Sequence, residues 1–323
     1  MEGIKFLKRP RLKKPFFVVA WPGMGEVAFK AAGFLVEKLG ANEFAGIAAE
    51  DFFYLTGSVI KDGIMDIPKL PESKFYFWKN KSGKNDLIIF ISNAQPDLSK
   101  AETYSQRIIQ MAKSFHAEMV ISFASMPQPI DHTQESSAWF AATSQDLCAA
   151  LEKLGLRKLK EGAISGMNGL FLGVAKREGL KGFCLLGEIP LYTIQIENPK
   201  ASAAVVSALG KILDIKIDPV SLIEQAQNME NEINKLLDYL RPGTGPGQGP
   251  IGEDEVEKIK KALSQLTKLP ASVKEKIEQL FLAAQDDLTR AGELKVELDK
   301  WNAYKEYEDR FLDLFRKSKE KGN

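Results

Sequence analysis

Cysteine and histidine are scarce in this chain: two of each, Cys148, Cys184, His116 and His132, in 323 residues. No CxxC pair and no Cys/His metal spacing occurs, so a disulfide framework is excluded and a His-based metal site is not expected. A reducing, cytoplasmic compartment is expected. Both thiols sit in apolar sequence and read as small core residues. Charge of one sign is also lacking. Forty-four basic and 43 acidic residues leave +1, without the electrostatic surplus that nucleic-acid binding needs. The one basic cluster, Lys5 to Lys14, reads as a solvated lead-in to the first strand. No run approaches the ~18 apolar residues that span a bilayer, and "MEGIKFLKRP" has no signal-peptide h-region. Neither a P-loop nor a G-x-S-x-G elbow is present.

What remains is ample material for a core, with 44% apolar and 27% charged residues, enough for two structural units. The stretch "RPGTGPGQGPIGEDE" is dominated by glycine and proline and reads as a linker over 242–255. Before it, in 1–241, short apolar runs at 16–20, 43–49, 86–91, 118–124 and 182–187 alternate with helical patterns. The helices fall near 25–39, 99–115, 144–154, 168–178, 199–213 and 220–239. That alternation predicts a doubly wound, mostly parallel α/β sheet covered on both faces. "FYFWKN" and "KSGKND" add an antiparallel hairpin before 86–91.

After the linker, 256–323 read as an α-helical extension, a helical hairpin or coiled-coil-like bundle. Val256, Ile259, Leu263 and Leu266 form one stripe. Beyond the break at "KLPAS", a near-heptad seam runs from Ile277 through Ala284, Ala291 and Leu298 to Trp301.

The turn after the first apolar run, Gly23-Met24-Gly25-Glu26-Val27-Ala28, spells G-x-G-x-x-A. A dinucleotide site would use those glycines for close approach to a diphosphate, with Glu50 or Asp51 toward a ribose. Pro22 removes one N–H there, and Glu26 sets a negative charge where a phosphate would lie. The turn therefore reads as a tight strand-to-helix reversal, with no cofactor. Gly166, Gly169 and Gly173 open another helix, with Asn168 as its candidate cap. The following strand ends at Gly187-Glu188, where ligands bind in α/β sheets. Glu188 is the best single carboxylate candidate, with a cap or hydrogen-bond acceptor as the plainer role. Asp131-His132 with Ser136 or Ser137 has hydrolase residue types but no elbow, and reads as a polar loop. The 126–143 segment, read as a loop, carries Trp139 and Phe140, which either line a pocket or interface or pack into the core.

In order along the chain stand Pro22, Gly23 and Gly25; Asn168, Gly169 and Leu170; "LLGEIP" from Leu185 to Pro190; and Asn198 to Ala201, "NPKA". This series resembles the proteasome assembly chaperone 2 (PAC2) family over about 15–240. The resemblance implies a nucleoside-phosphorylase-like fold not known as a catalyst, self-association, and protein partners such as proteasome α-subunits. It also implies docking through a C-terminal hydrophobic-Tyr-x tail in archaeal relatives, which "FRKSKEKGN" does not match. The expectation is a non-enzymatic assembly chaperone or scaffold. A small-molecule binder or enzyme of the same fold is the alternative, and an NAD-dependent enzyme a third.

Overall fold

The computed structural model describes residues 3–240, 271–300 and 303–320, apart from 56 and 83. The predicted linker, the stripe from Val256 to Leu266 and Trp301 lie outside the described residues.

Eleven strands occur among the described residues: β1 (Ile4–Phe6), β2 (Phe16–Ala20), β3 (Asn42–Ile47), β4 (Val59–Lys61), β5 (Ile64–Asp66), β6 (Ser73–Trp78), β7 (Leu87–Ser92), β8 (Met119–Gln128), β9 (Ala138–Ala142), β10 (Arg157–Lys158) and β11 (Gly182–Pro190). Nine of them form one sheet in the order β1-β3-β6-β7-β2-β8-β11-β9-β10. Its centre, β7-β2-β8-β11, is parallel. The flanks are antiparallel (β6 on β7, β3 on β6, β1 on β3, and β9 on β11), except that the edge strand β10 runs parallel to β9. The run near 43–49 therefore joins an antiparallel flank, because β3 pairs with the β6–β7 hairpin that the sequence already marked.

Both faces of the central strands are buried, which is why they read as unbroken apolar runs. Val18, Leu87, Ile89, Ile121, Phe123, Phe183 and Leu185 face one core. Phe17, Val19, Ile88, Phe90, Val120, Cys184 and Leu186 face the other. Helices α1 (Val27–Leu39), α3 (Gln145–Lys153) and α5 (Pro199–Leu213) cover the first face. Helices α2 (Ala101–Ser114) and α4 (Met167–Arg177) cover the second. Helix α6 (Val220–Leu240) packs on α5.

Helix α1 stops at Gly40, whose φ of 63° lets its N–H reach the carbonyls of Glu37 and Val36. Helix α5 starts by sequence logic. Asn198 accepts the Ala201 N–H as N-cap, and Pro199 sits where its missing N–H costs nothing.

The extension supplies α7 (Ala271–Asp286), α8 (Ala291–Lys300) and α9 (Tyr304–Glu320). The predicted continuous seam is broken at Leu288–Arg290 by a 3-10 turn, so α7 and α8 fold against each other. Ile277, Phe281, Ala284, Leu294 and Leu298 are buried and continuous with the first core. No helix among the described residues is long and apolar enough to cross a membrane.

Candidate functional site

Strands β2, β7, β8 and β11 end on the same side of the sheet, and there the sequence motifs meet. Trp21 and Pro22 leave β2. Trp21 is fully buried, with its ring 5.4 Å from Phe90 and 5.7 Å from Phe171.

Asn168 is not the cap of α4; Gly166 takes that position. One turn-residue into the helix, the Asn168 side chain instead treats the end of β2 as a strand would. Its Oδ1 accepts the Trp21 N–H at 3.1 Å and its Nδ2 donates to the Trp21 carbonyl at 3.0 Å. A second amide, Gln95 beyond β7, repeats the device. Its Nε2 donates to the Pro22 carbonyl at 2.9 Å, and its Oε1 accepts the Met167 N–H at 3.1 Å.

The glycine turn is tied in the same way. Gly23 is extended, and its backbone needs no glycine, whereas Gly25 has a φ of 63°. The Gly25 N–H donates to the Ile194 carbonyl at 2.9 Å, its carbonyl accepts the Asn198 N–H at 2.7 Å, and the Glu26 N–H donates to the Gly23 carbonyl at 3.0 Å. A Cβ on Gly25 would stand 3.3 Å from Asn198 Cβ and Ile189 Cδ1. The amides that a diphosphate would use at Gly25 and Glu26 thus already face protein carbonyls.

Close backbone packing explains two further glycines. A Cβ on Gly169 would lie 1.9 Å from the Ile164 carbonyl oxygen, and one on Gly187 would lie 2.7 Å from that of Ala201. Gly169 lets the 162–165 loop lie on α4. Gly187 lets the start of α5 lie on β11.

Glu188 sits within β11, and both its carboxylate oxygens are taken. Oε2 accepts the Ser137 N–H at 3.0 Å, and Oε1 accepts the Trp139 Nε1–H at 2.7 Å. Its role is the hydrogen-bond acceptor that pins the start of β9. The segment read as a loop is in part strand: β8 runs to Gln128, and Trp139 and Phe140 belong to β9. Phe140 is buried in the first core, while Trp139 is half-buried with the Arg157 guanidinium over its ring at 5.7 Å. The sequence missed β9 because five residues between polar segments carry no period long enough to read.

Of the Asp131-His132-Ser pattern, Asp131 Oδ1 lies 3.5 Å from His132 Nδ1, but the ring nitrogens meet Tyr192 and Asn234 rather than a serine. His132 is buried, with Nδ1 2.8 Å from the Tyr192 hydroxyl and Nε2 2.8 Å from Asn234 Oδ1. Ser136 donates to the Glu188 carbonyl. The cluster ties the 130–136 loop to α6, helped by Lys200, which pairs with Glu230 and donates to the His132 carbonyl. Full burial pushes the Cys184 thiol up to about 12, so it stays protonated. Among the described residues no group of three or more His, Cys, Asp or Glu is placed to hold a metal.

Between these elements opens a cleft of about 450 Å³, lined by Met24, Gln95, Met126, Ile164, Lys276 and Glu297, among others. Lys276 of α7 and Glu297 of α8 form an ion pair at 2.8 Å, so the extension contributes one wall.

Glu26 is the strained member of the turn. Burial, and then the neighbouring Glu197 carboxylate, raise its pKa above 4.5, against the opposing Gly23 hydrogen bond and Lys30. A carboxyl raised in the folded state contributes stability below its unfolded pKa and loses it as pH rises through the folded one. Glu26→Gln is therefore expected to raise the melting temperature at neutral pH, with the gain vanishing below pH 4.5. Melting curves at the two pH values check this; an equal gain at both would contradict it.

A family model described as PAC2 family matches residues 17–237. Among solved structures, Pyrococcus furiosus PbaB, an archaeal proteasome activator, is similar with a TM-score of 0.63 and 28% identity, over 72% of this chain and 97% of that one. Pyrococcus furiosus PbaA, an archaeal homolog of proteasome-assembly chaperone, gives a TM-score of 0.56 and 28% identity, over 72% and 96%. An uncharacterized protein of Methanocaldococcus jannaschii is 27% identical over 231 residues, covering 71% of this chain and 85% of its own.

Proposed function

The chain belongs to the PAC2 family, and from that premise we propose that it is a non-enzymatic assembly chaperone or scaffold, self-associating and binding protein partners. The partner class is the proteasome α-subunit, where the source organism has one. The observation that carries the reading is the state of the polar groups at the strand ends. The Gly25 N–H, both amide atoms of Asn168 and both carboxylate oxygens of Glu188 are each satisfied by another part of the same chain. Groups held in this way build a scaffold: each of these is engaged in holding the fold and is not poised to act as acid, base or nucleophile. The similarity to PbaB, an archaeal proteasome activator, and to PbaA, an archaeal homolog of proteasome-assembly chaperone, supports the partner class.

The test is co-elution of the full chain with purified proteasome α-subunits of its own organism, read by size-exclusion chromatography with light scattering. A complex of defined stoichiometry is expected. Separate elution at tens of micromolar would remove the α-subunit as partner.

A second reading rests on the cleft, whose ~450 Å³ falls within the range of small-molecule sites. In that reading a nucleoside, nucleotide or phosphate sits at the strand ends. A thermal-shift screen separates the two, since a ligand stabilises by mass action. No shift above about 1 °C is expected; a saturable rise of several degrees would favour the small-molecule reading.

A further inference from the structure

The β4–β5 hairpin stands apart from the large sheet as a two-stranded ribbon of its own. Every residue of both strands is exposed. The exposed side chains are nonetheless apolar: Val59, Ile60, Ile64 at 72%, Met65 at 69% and Ile67 at 72%, with Tyr54 just before. In the ladder Ile60 pairs with Met65 on one face while Val59 and Ile64 lie on the other, so both faces of the ribbon expose apolar side chains. An isolated two-stranded ribbon is marginal in water at best, so this one needs a cover.

Its residue pattern points to the cover. Val59 pairs with Asp66 and Lys61 with Ile64 in the register. Directly opposed residues share a face, so one face holds Val59 and Ile64 on one diagonal and Lys61 and Asp66 on the other. A two-fold axis along the Val59–Ile64 diagonal lays each apolar residue on its own copy and each Lys61 on the Asp66 of the other copy. A surface that is its own complement is what an isologous interface requires.

We propose that two copies of this chain pack through the β4–β5 hairpin, Lys61 of each against Asp66 of the other. The proposal deepens the self-association reading above and rests on it. Its test is light scattering of the full chain as wild type, Ile64→Asp, Lys61→Asp, and Lys61→Asp combined with Asp66→Lys. The wild type is expected as an even-numbered assembly. Either single variant is expected to halve the mass, the first by burying an unpaired charge and the second by setting like charges face to face. The double swap is expected to restore it. Cooperative melting is expected for every variant, because these side chains lie outside both cores and only the stabilisation from association is lost. A wild-type monomer overturns both the self-association reading and the proposal. An oligomer whose mass ignores the single variants, or an odd-numbered one, overturns the proposal alone.

Discussion

Gly169→Ala is expected to destabilise the protein by about 3 kcal/mol or more, although alanine is the better helix former. The cause is the 1.9 Å separation between the new Cβ and the Ile164 carbonyl oxygen, with the Ile164 carbonyl carbon at 2.7 Å. Both are backbone atoms, so no side-chain rotation relieves the clash, and the 162–165 loop has to lift off α4. That loop forms one wall of the cleft, and its displacement strips support from the Asn168 and Gln95 contacts beside it. For a protein of this size the melting temperature should fall by roughly 6–10 °C. The same helix provides the control. A Cβ on Gly173 meets nothing within 4 Å, so Gly173→Ala should stabilise by about 0.5–1 kcal/mol. One substitution type with opposite signs four residues apart is read directly by thermal or urea unfolding. A neutral Gly169→Ala would refute the close packing described here.

Asn168→Leu is expected to be comparably severe. It removes both partners of Trp21, whose backbone is fully buried. Two buried backbone groups left unsatisfied cost about 1–3 kcal/mol each. Asn168→Asp is the sharper probe. Its carboxylate still accepts the Trp21 N–H but turns an oxygen toward the Trp21 carbonyl. Repulsion there raises the carboxyl's folded-state pKa, so stability should recover as pH falls and be lost as it rises. Urea midpoints for wild type, Leu and Asp variants at acidic and neutral pH test this. If Asn168 served a ligand instead, both variants would keep the wild-type midpoint and lose only binding.

The central strands were legible because both their faces are buried, which makes "FFVVA" and "DLIIFI" unbroken apolar runs. Helix α5 was legible because Asn198-Pro199 encodes its own start. The short flank strands were not: β1, β9 and β10 hold two to five residues, too few for a period. The ribbon of β4 and β5 escaped notice because its residues are exposed, and burial is what patterns a strand. The extension read as one seam because Leu288 keeps the apolar spacing across the Leu288–Arg290 turn. At the site, each motif was visible but the pairing of atoms was not. Asn168 and Trp21 are 147 residues apart, and no local pattern announces a contact at that distance. Gln95 went unremarked because a lone glutamine after a strand has no signature. Glu188 was found by position, at a strand end, while its role followed from Ser137 and Trp139, which the sequence could not place beside it.

The most direct test of the claim that the signature residues hold the chain rather than a ligand is amide hydrogen exchange over residues 21–28. With the Gly25 N–H donated to Ile194 and the Glu26 N–H to Gly23, the segment is expected to exchange slowly in the free protein, as the core does. Addition of NAD, nucleotides or phosphate should leave that rate unchanged. Rapid exchange in the free protein, slowed when one of those ligands is added, would contradict the account.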